Sequence, residues 1–288
     1  MTLALGGAQL GLDYGISNSS GKVSDTETYE LLNLARQNNI TFIDTAQLYG
    51  DSEHRIGALE NIHDDFDVIS KLTHLNENHS LDDIFRLTEQ SLDTLKAERL
   101  YGMMFHRMGD LLPTDVGLKR LEVLANFKAK GRIQKVGTSL STPEELALLI
   151  EHFDADIVQY PANAFDQRFQ KSGLLDKALE KGMTLFSRSI FLQGFLLMDP
   201  SNLPTHMAQH KSQLLKFKAL CHEHGLSDLE GALAYKTKLP KDNNSVIGVC
   251  NPQQLQEVIE AAEKTTNMDI DFSSIATDDV SLINPSNW

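Results

Sequence analysis

Short apolar runs rich in β-branched and aromatic residues recur along the chain. Each is followed by a longer stretch in which leucine, isoleucine and alanine return every three or four positions. The short runs read as buried strands and the periodic stretches as amphipathic helices. Leu3 to Gln9 begins as a buried strand and breaks into a glycine-rich loop from Gly6 to Gly21. Ser24 with Glu27 three residues on forms a capping box for a helix carrying Leu31, Leu32 and Ala35, which ends near Asn38-Asn39. Ile40–Ile43 is strand two, Ser52–Leu59 a short helix with Ile56 and Leu59 inward, and Phe66–Ser70 strand three. Leu81 to about Ala97 is a helix with Ile84, Leu87, Leu92 and Leu95 near helical spacing.

The alternation continues unbroken. Leu100–Phe105, Ile133–Val136, Ile157–Gln159, Met183–Phe186 and Val246–Ile247 are strands four to eight. Between them the pattern predicts helices at Gly117–Lys130, from Thr142-Pro143 onward, at Gly173–Lys181, and at both His210–Glu223 and Leu229–Lys236. Asp242-Asn-Asn244 reads as a turn before strand eight. Asn251-Pro252 caps a last helix to about Lys264, and the tail from 269 to 288 reads as irregular and near the pocket. Eight strand–helix units without a dividing linker predict right-handed βαβ closure into a single-domain (β/α)8 TIM barrel over residues 1–288. A doubly wound open sheet would need a G-x-G-x-x-G turn after strand one, and Gly6-Gly7 and Gly11 lack that spacing.

Composition narrows the partners. A net charge of −14 opposes nucleic acid or an anionic membrane, since phosphate backbones need a basic footprint. No stretch reaches the ~20 apolar residues that span a bilayer, and Met1–Gly7 has neither the basic region nor the apolar core of a signal peptide. Cys221 and Cys250 have no framework or metal spacing, so they read as reduced thiols of a cytoplasmic protein. His206 and His210 stand at i, i+4 without the Glu of H-E-x-x-H, and no metal is expected.

Candidate chemistry gathers where strands run out. Asp44 closes strand two, Tyr49 follows on its loop, Lys71 ends strand three and His106 follows strand four. Singly these have ordinary readings: a helix cap, a rim aromatic, a solvated charge and a loop histidine. In order at adjacent strand ends of a parallel barrel, they converge on one spot. There an ammonium stabilises a phenolate, an aspartate holds the ammonium charged, and an imidazole meets a substrate oxygen as charge develops. Such a set suits reduction of a carbonyl to an alcohol, with the hydride drawn from a cofactor.

In the contexts Ile-Asp-Thr-Ala-x-x-Tyr-Gly, Ile-Ser-Lys and Phe-His, these four residues resemble the catalytic tetrad of the aldo-keto reductases. The resemblance implies that Tyr49 donates the proton, Asp44 and Lys71 tune it, and His106 orients the carbonyl beside NADP(H). It also implies a cofactor set. Gly137-Thr-Ser139 is similar to the family's Gly-x-Ser-Asn segment, with Leu140 in place of Asn, and Gln159 matches the glutamine that binds the nicotinamide carboxamide. Arg188, Ser189, Phe191, Gln193 and Gly194 align with the loop that stacks on nicotinamide and grips the pyrophosphate. Arg188 replaces its aromatic residue, though a planar guanidinium also stacks. Around strand eight the family commonly clamps the 2′-phosphate with a Lys-Ser pair and an Arg. Here Gly248, Val249 and Gln254 stand instead, Val258 replaces an Asn, and Glu257 keeps the adenine-facing acid. NADP(H) is the expected cofactor by family, with NAD(H) left open by that departure. Ala4 to Gly15 resembles aldo-keto reductase-like proteins of bacterial surface-polysaccharide pathways, implying a keto-sugar or nucleotide sugar as the carbonyl substrate. Phe191, Phe195, Phe272 and Trp288 are its candidate aromatic contacts. The other reading is a catalytically weak barrel that binds a nucleotide or sugar as a sensor or pathway partner.

Overall fold

The computed structural model describes residues 2–288. Eight parallel strands close into a ring in sequence order: β1 Thr2–Gly6, β2 Phe42–Asp44, β3 Asp67–Lys71, β4 Leu100–Phe105, β5 Ile133–Ser139, β6 Ile157–Pro161, β7 Thr184–Arg188 and β8 Asn243–Ile247. β8 pairs back onto β1, with Val246 opposite Ala4. The principal outer helices are Asp25–Gln37, Ser52–Gly57, Leu81–Thr94, Thr114–Ala129, Pro143–His152, Leu174–Glu180, Lys211–Glu223, Asp228–Ala234 and Pro252–Lys264. The (β/α)8 barrel expected from the sequence is the fold observed.

Local chemistry explains many of the helix starts. The capping box at Ser24 and Glu27 forms as predicted, and Ser80/Asp83, Thr142/Glu145 and Ser227/Glu230 repeat it. Each box satisfies two otherwise unpaired amides at a helix start.

Three segments differ from the sequence reading. β1 stops at Gly6, where the loop was expected to begin, but Ala8–Gly11 within that loop coils into one short helical turn that carries Gln9. Asn243 and Asn244 open β8 instead of turning before it, because neighbours meet their amides. Asn243 accepts from the Tyr160 hydroxyl at 2.8 Å and donates to Ser187 Oγ at 2.8 Å, while Asn244 donates to the Leu185 carbonyl. The tail is ordered by burial of Ile270, Phe272, Ile275, Leu282 and Ile283, and it contains a helical turn at Val280–Ile283. It docks on the loop after β6 through Thr277 N–H to the Phe165 carbonyl, and Trp288 packs 6.4 Å from Phe195. Among the described residues no helix is long and apolar enough to cross a membrane, and no group of three or more His, Cys, Asp or Glu is placed to hold a metal.

Candidate active site

Side chains alternate across a strand, so each barrel strand has an inner and an outer face. Ala4, Ile69, Met104, Ile157 and Phe186 form one buried cluster, with Phe42 and Val246 packed against it. Their neighbours Leu5, Val68, Val158 and Leu185 belong to the larger core under the helices. The small cluster, drawn from strands all round the ring, is the barrel interior. Two residues further along those inner faces stand Gly6, Asp44, Lys71, His106, Gln159, Arg188 and Gly248. A polar layer therefore lies on an apolar plug at the C-terminal mouth.

Lys71 and Asp44 are almost wholly buried there. Lys71 Nζ donates to Asp44 Oδ1 at 2.6 Å and to the Thr45 carbonyl at 3.0 Å. Gln159 Nε2 donates to the same Asp44 oxygen at 2.8 Å, reaching across the barrel from β6. Burial by itself would pull the ammonium down, but Asp44 and then Tyr49 outweigh it and leave the lysine above its usual value. Nζ sits 4.9 Å from the centre of the Tyr49 ring, and that ring meets His106 edge-on at 5.9 Å. The close approach of the β1 loop fixes the tyrosine turn: a Cβ on Gly11 would fall 1.8 Å from the Tyr49 carbonyl oxygen.

His106 carries an unsatisfied group. Its Nδ1 is buried with no hydrogen-bond partner, and His74 lies across its other side at 5.0 Å between ring centres. Burial, followed by the charges of Lys71, His74 and Arg188, pushes its pKa from 6.5 down to about 3. The ring is therefore a neutral donor–acceptor at neutral pH rather than a cation. Because the folded value is the lower one, the stability linked to this group is complete above pH ~6.5 and declines as the pH falls toward the folded value. In an NMR titration the His106 ring protons are expected to stay fixed between about pH 8 and pH 5 while exposed histidines shift. A midpoint near 6.5 for His106 would contradict this environment.

The cofactor candidates divide into two groups. Arg188 lies at the mouth as the last residue of β7. It donates to the Leu140 carbonyl at 2.9 Å and to Ser139 Oγ and Ser189 Oγ at 3.3 Å each. Leu140, which stands where the family has Asn, turns its side chain into the core and offers this site only its carbonyl. Ser189, Leu192, Gln193 and Gly194 all have positive φ, which folds the strap after β7 back sharply. Ile16 N–H donates to the Gln193 carbonyl, and a Cβ on Gly194 would strike Ser17 Oγ, so the strap meets the β1 loop. Phe191, Phe195 and Phe272 are buried in the core rather than presented to a ligand. Gln254 and Glu257 are occupied locally: Gln254 Oε1 accepts from Cys250 N–H at 2.8 Å, and Glu257 accepts from Gln253 at 2.9 Å. Gly248 lies against the Gln9 side chain, 2.5 Å from where its Cβ would be.

Three side chains without a role in the sequence reading border this site. Tyr14, on the β1 loop before Gly15, has its phenol raised by burial and by nearby Tyr49, with Arg188 opposing. Glu53 is buried behind β3, accepts from Ser70 Oγ at 2.5 Å, and is pushed up by burial. Asp110, fully buried, accepts from Leu75 N–H and Arg107. Arg120 ties the Asp110 and Asn76 carbonyls, fastening the β3 loop to the β4 loop that carries His106. The signal for Tyr14 was an aromatic beside a loop glycine. Glu53 and Asp110 carry no sequence signal, since any charged residue reads as solvated by default.

The Aldo/keto reductase family model matches residues 2–276. No curated protein matches the chain. Two solved structures described as an aldo-keto reductase from Pseudomonas aeruginosa superpose with TM-scores of 0.68 and 0.69, at 22% and 20% identity, over 92% of this chain and 90% of theirs. An aldo-keto reductase from Bacillus halodurans in its holo form gives a TM-score of 0.73 at 15% identity, over 99% of this chain and 94% of that one. At such identities the superpositions speak to the fold, and the family model, spanning nearly the whole chain, carries the assignment. The chain belongs to the aldo/keto reductase family, whose fold and membership support an oxidoreductase acting on carbonyl groups.

Proposed function

We propose that this protein reduces an aldehyde or ketone to an alcohol with Tyr49 as the proton donor and a nicotinamide dinucleotide as the reductant. The observation that carries the proposal is the buried ammonium of Lys71, 2.6 Å from Asp44 and 4.9 Å from the Tyr49 ring. The Tyr49 hydroxyl gives its proton to the carbonyl oxygen, and Lys71 stabilises the phenolate left behind. Asp44, held by Gln159, keeps the ammonium charged and aimed. Neutral His106 hydrogen-bonds the substrate oxygen as charge grows on it. The residues present suit a dinucleotide: Arg188 carries a guanidinium with no carboxylate partner among the described residues, beside the hydroxyls of Ser139 and Ser189. When bound, the dinucleotide would supply the hydride, a hydrogen with its electron pair, that makes the new carbon–hydrogen bond of the alcohol.

A keto-sugar is the substrate class this reading favours. The candidate aromatics Phe191, Phe195 and Phe272 are withdrawn into the core, while Tyr14 and His74 remain at the rim, polar and partly exposed. Such a rim suits a hydroxylated substrate better than an apolar one. With a panel of carbonyls and reduced dinucleotide, turnover followed by loss of dinucleotide absorbance is expected. Keto-sugars should exceed simple apolar aldehydes in kcat/KM by about tenfold, the discrimination that one or two added hydrogen bonds bring. Binding of sugar or dinucleotide with no turnover of any carbonyl would favour the sensor reading and defeat this one.

A further inference from the structure

The loops above the strand ends hold four arginines whose partners differ in one respect. Arg55 pairs with Asp25 and Asp51, Arg107 with Asp110, and Arg168 with Asp166. Lys22 pairs with Asp51 and Lys71 with Asp44. Arg188 alone of these spans two hydroxyls and a carbonyl, with no carboxylate within ion-pair distance among the described residues. In a chain of net charge −14, the mouth therefore offers one uncommitted cation, at the β7 end.

Phosphate groups in such barrels are commonly held by the loops after strands seven and eight. The β7 loop has Arg188. The β8 loop, Gly248 to Asn251, has no cation; its Cys250 N–H is taken by Gln254 Oε1, and Gln254 N–H in the helix that follows is taken by Asn251 Oδ1, each at 2.8 Å. Asp13 and Glu27 lie near enough that, after burial, their charges raise the Cys250 thiol. A phosphate at this loop would meet carboxylates without a cation to offset them. A ribose hydroxyl would find acceptors there, as an acid beside the adenosine ribose of NAD does in other dinucleotide sites.

NADP(H) differs from NAD(H) by one phosphate on the adenosine ribose, remote from the pyrophosphate, so holding it needs a second anion centre. We infer that this site takes the dinucleotide without the 2′-phosphate, NAD(H) in preference to NADP(H), with Arg188 as its one uncommitted cation. The inference rests on the reductase reading of the same site.

Fluorescence titration of the full chain with NADH and NADPH, at two salt concentrations, tests it without reference to turnover. NADH is expected to bind at least about tenfold more tightly, and Arg188→Leu to weaken NADH by about tenfold or more. Gln254 is exposed on a helix surface, so Gln254→Arg should fold, and it is expected to narrow the preference for NADH by strengthening NADPH binding. Equal or tighter binding of NADPH by the unaltered chain would overturn the inference and leave the reductase reading standing. Binding of neither dinucleotide would overturn both. An Arg188→Leu protein with unchanged NADH affinity would remove Arg188 from its proposed role.

Discussion

Tyr49→Phe is expected to lower kcat by about 10³-fold, within the range that a positioned general acid contributes. Dinucleotide affinity should stay within about twofold. The substitution deletes one oxygen and leaves the packing in place. The ring keeps its 4.9 Å approach to Lys71 Nζ and its edge-on contact with His106. Its main-chain carbonyl still accepts from Ser52 N–H at 3.0 Å, which holds the turn against Gly11. A drop in turnover can then be assigned to the missing proton rather than to a displaced loop. Steady-state kinetics with the best carbonyl of the panel, beside a dinucleotide titration of the same variant, makes the measurement. If kcat falls less than about tenfold, another group delivers the proton and the assignment of Tyr49 fails. If kcat and dinucleotide affinity fall together, the phenol belongs to binding instead.

Most of the candidate site follows from counting by two along each inner face. Ile69 to Lys71, Met104 to His106, Ile157 to Gln159 and Phe186 to Arg188 each step from the apolar plug to the polar layer above it. The sequence places an apolar residue and then a polar one at that spacing, so strand ends and candidate groups were legible together. What each polar group bonds was not, because the partner comes from a distant strand. Gln159 is matched by family resemblance to a cofactor amide, yet here its Nε2 meets Asp44, 115 residues away. Leu140 reads as a lost polar contact, but only its side-chain direction, set by β5 packing, makes its carbonyl the relevant group. Asn243 and Asn244 read as a turn because local propensity favours turns for that residue. The hydroxyls of Tyr160 and Ser187, both from other strands, reversed it. The tail's order rests in the same way on burial against the β6 loop rather than on any periodic pattern.

Lys71→Met is expected to remove measurable carbonyl reduction and to destabilise the fold by about 3–5 kcal/mol, the usual result of stripping one partner from a buried ion pair. Both ends of the pair are nearly inaccessible, Lys71 at 1% and Asp44 at 3% exposure, so water cannot replace the lost ammonium. Methionine fills much of the lysine volume, which keeps a cavity from confusing the result. Asp44 would retain only the Gln159 amide as its side-chain donor. The pH dependence has a definite sign. The lysine is raised in the folded state, so the stability it contributes is present below the unfolded lysine value and is lost only as pH rises through the folded one. The gap between the unaltered chain and Lys71→Met should thus be flat from about pH 6 to pH 9 and narrow only in stronger alkali. Urea unfolding across that range reads it directly. A companion Asp44→Asn/Lys71→Met protein removes both charges and should recover part of the lost stability while remaining inactive, because neutralising a buried pair costs less than halving it. A single variant as stable as the unaltered chain at neutral pH would show that Asp44 is solvated or protonated when alone. The buried pair would then have no claim to hold the ammonium that Tyr49 needs.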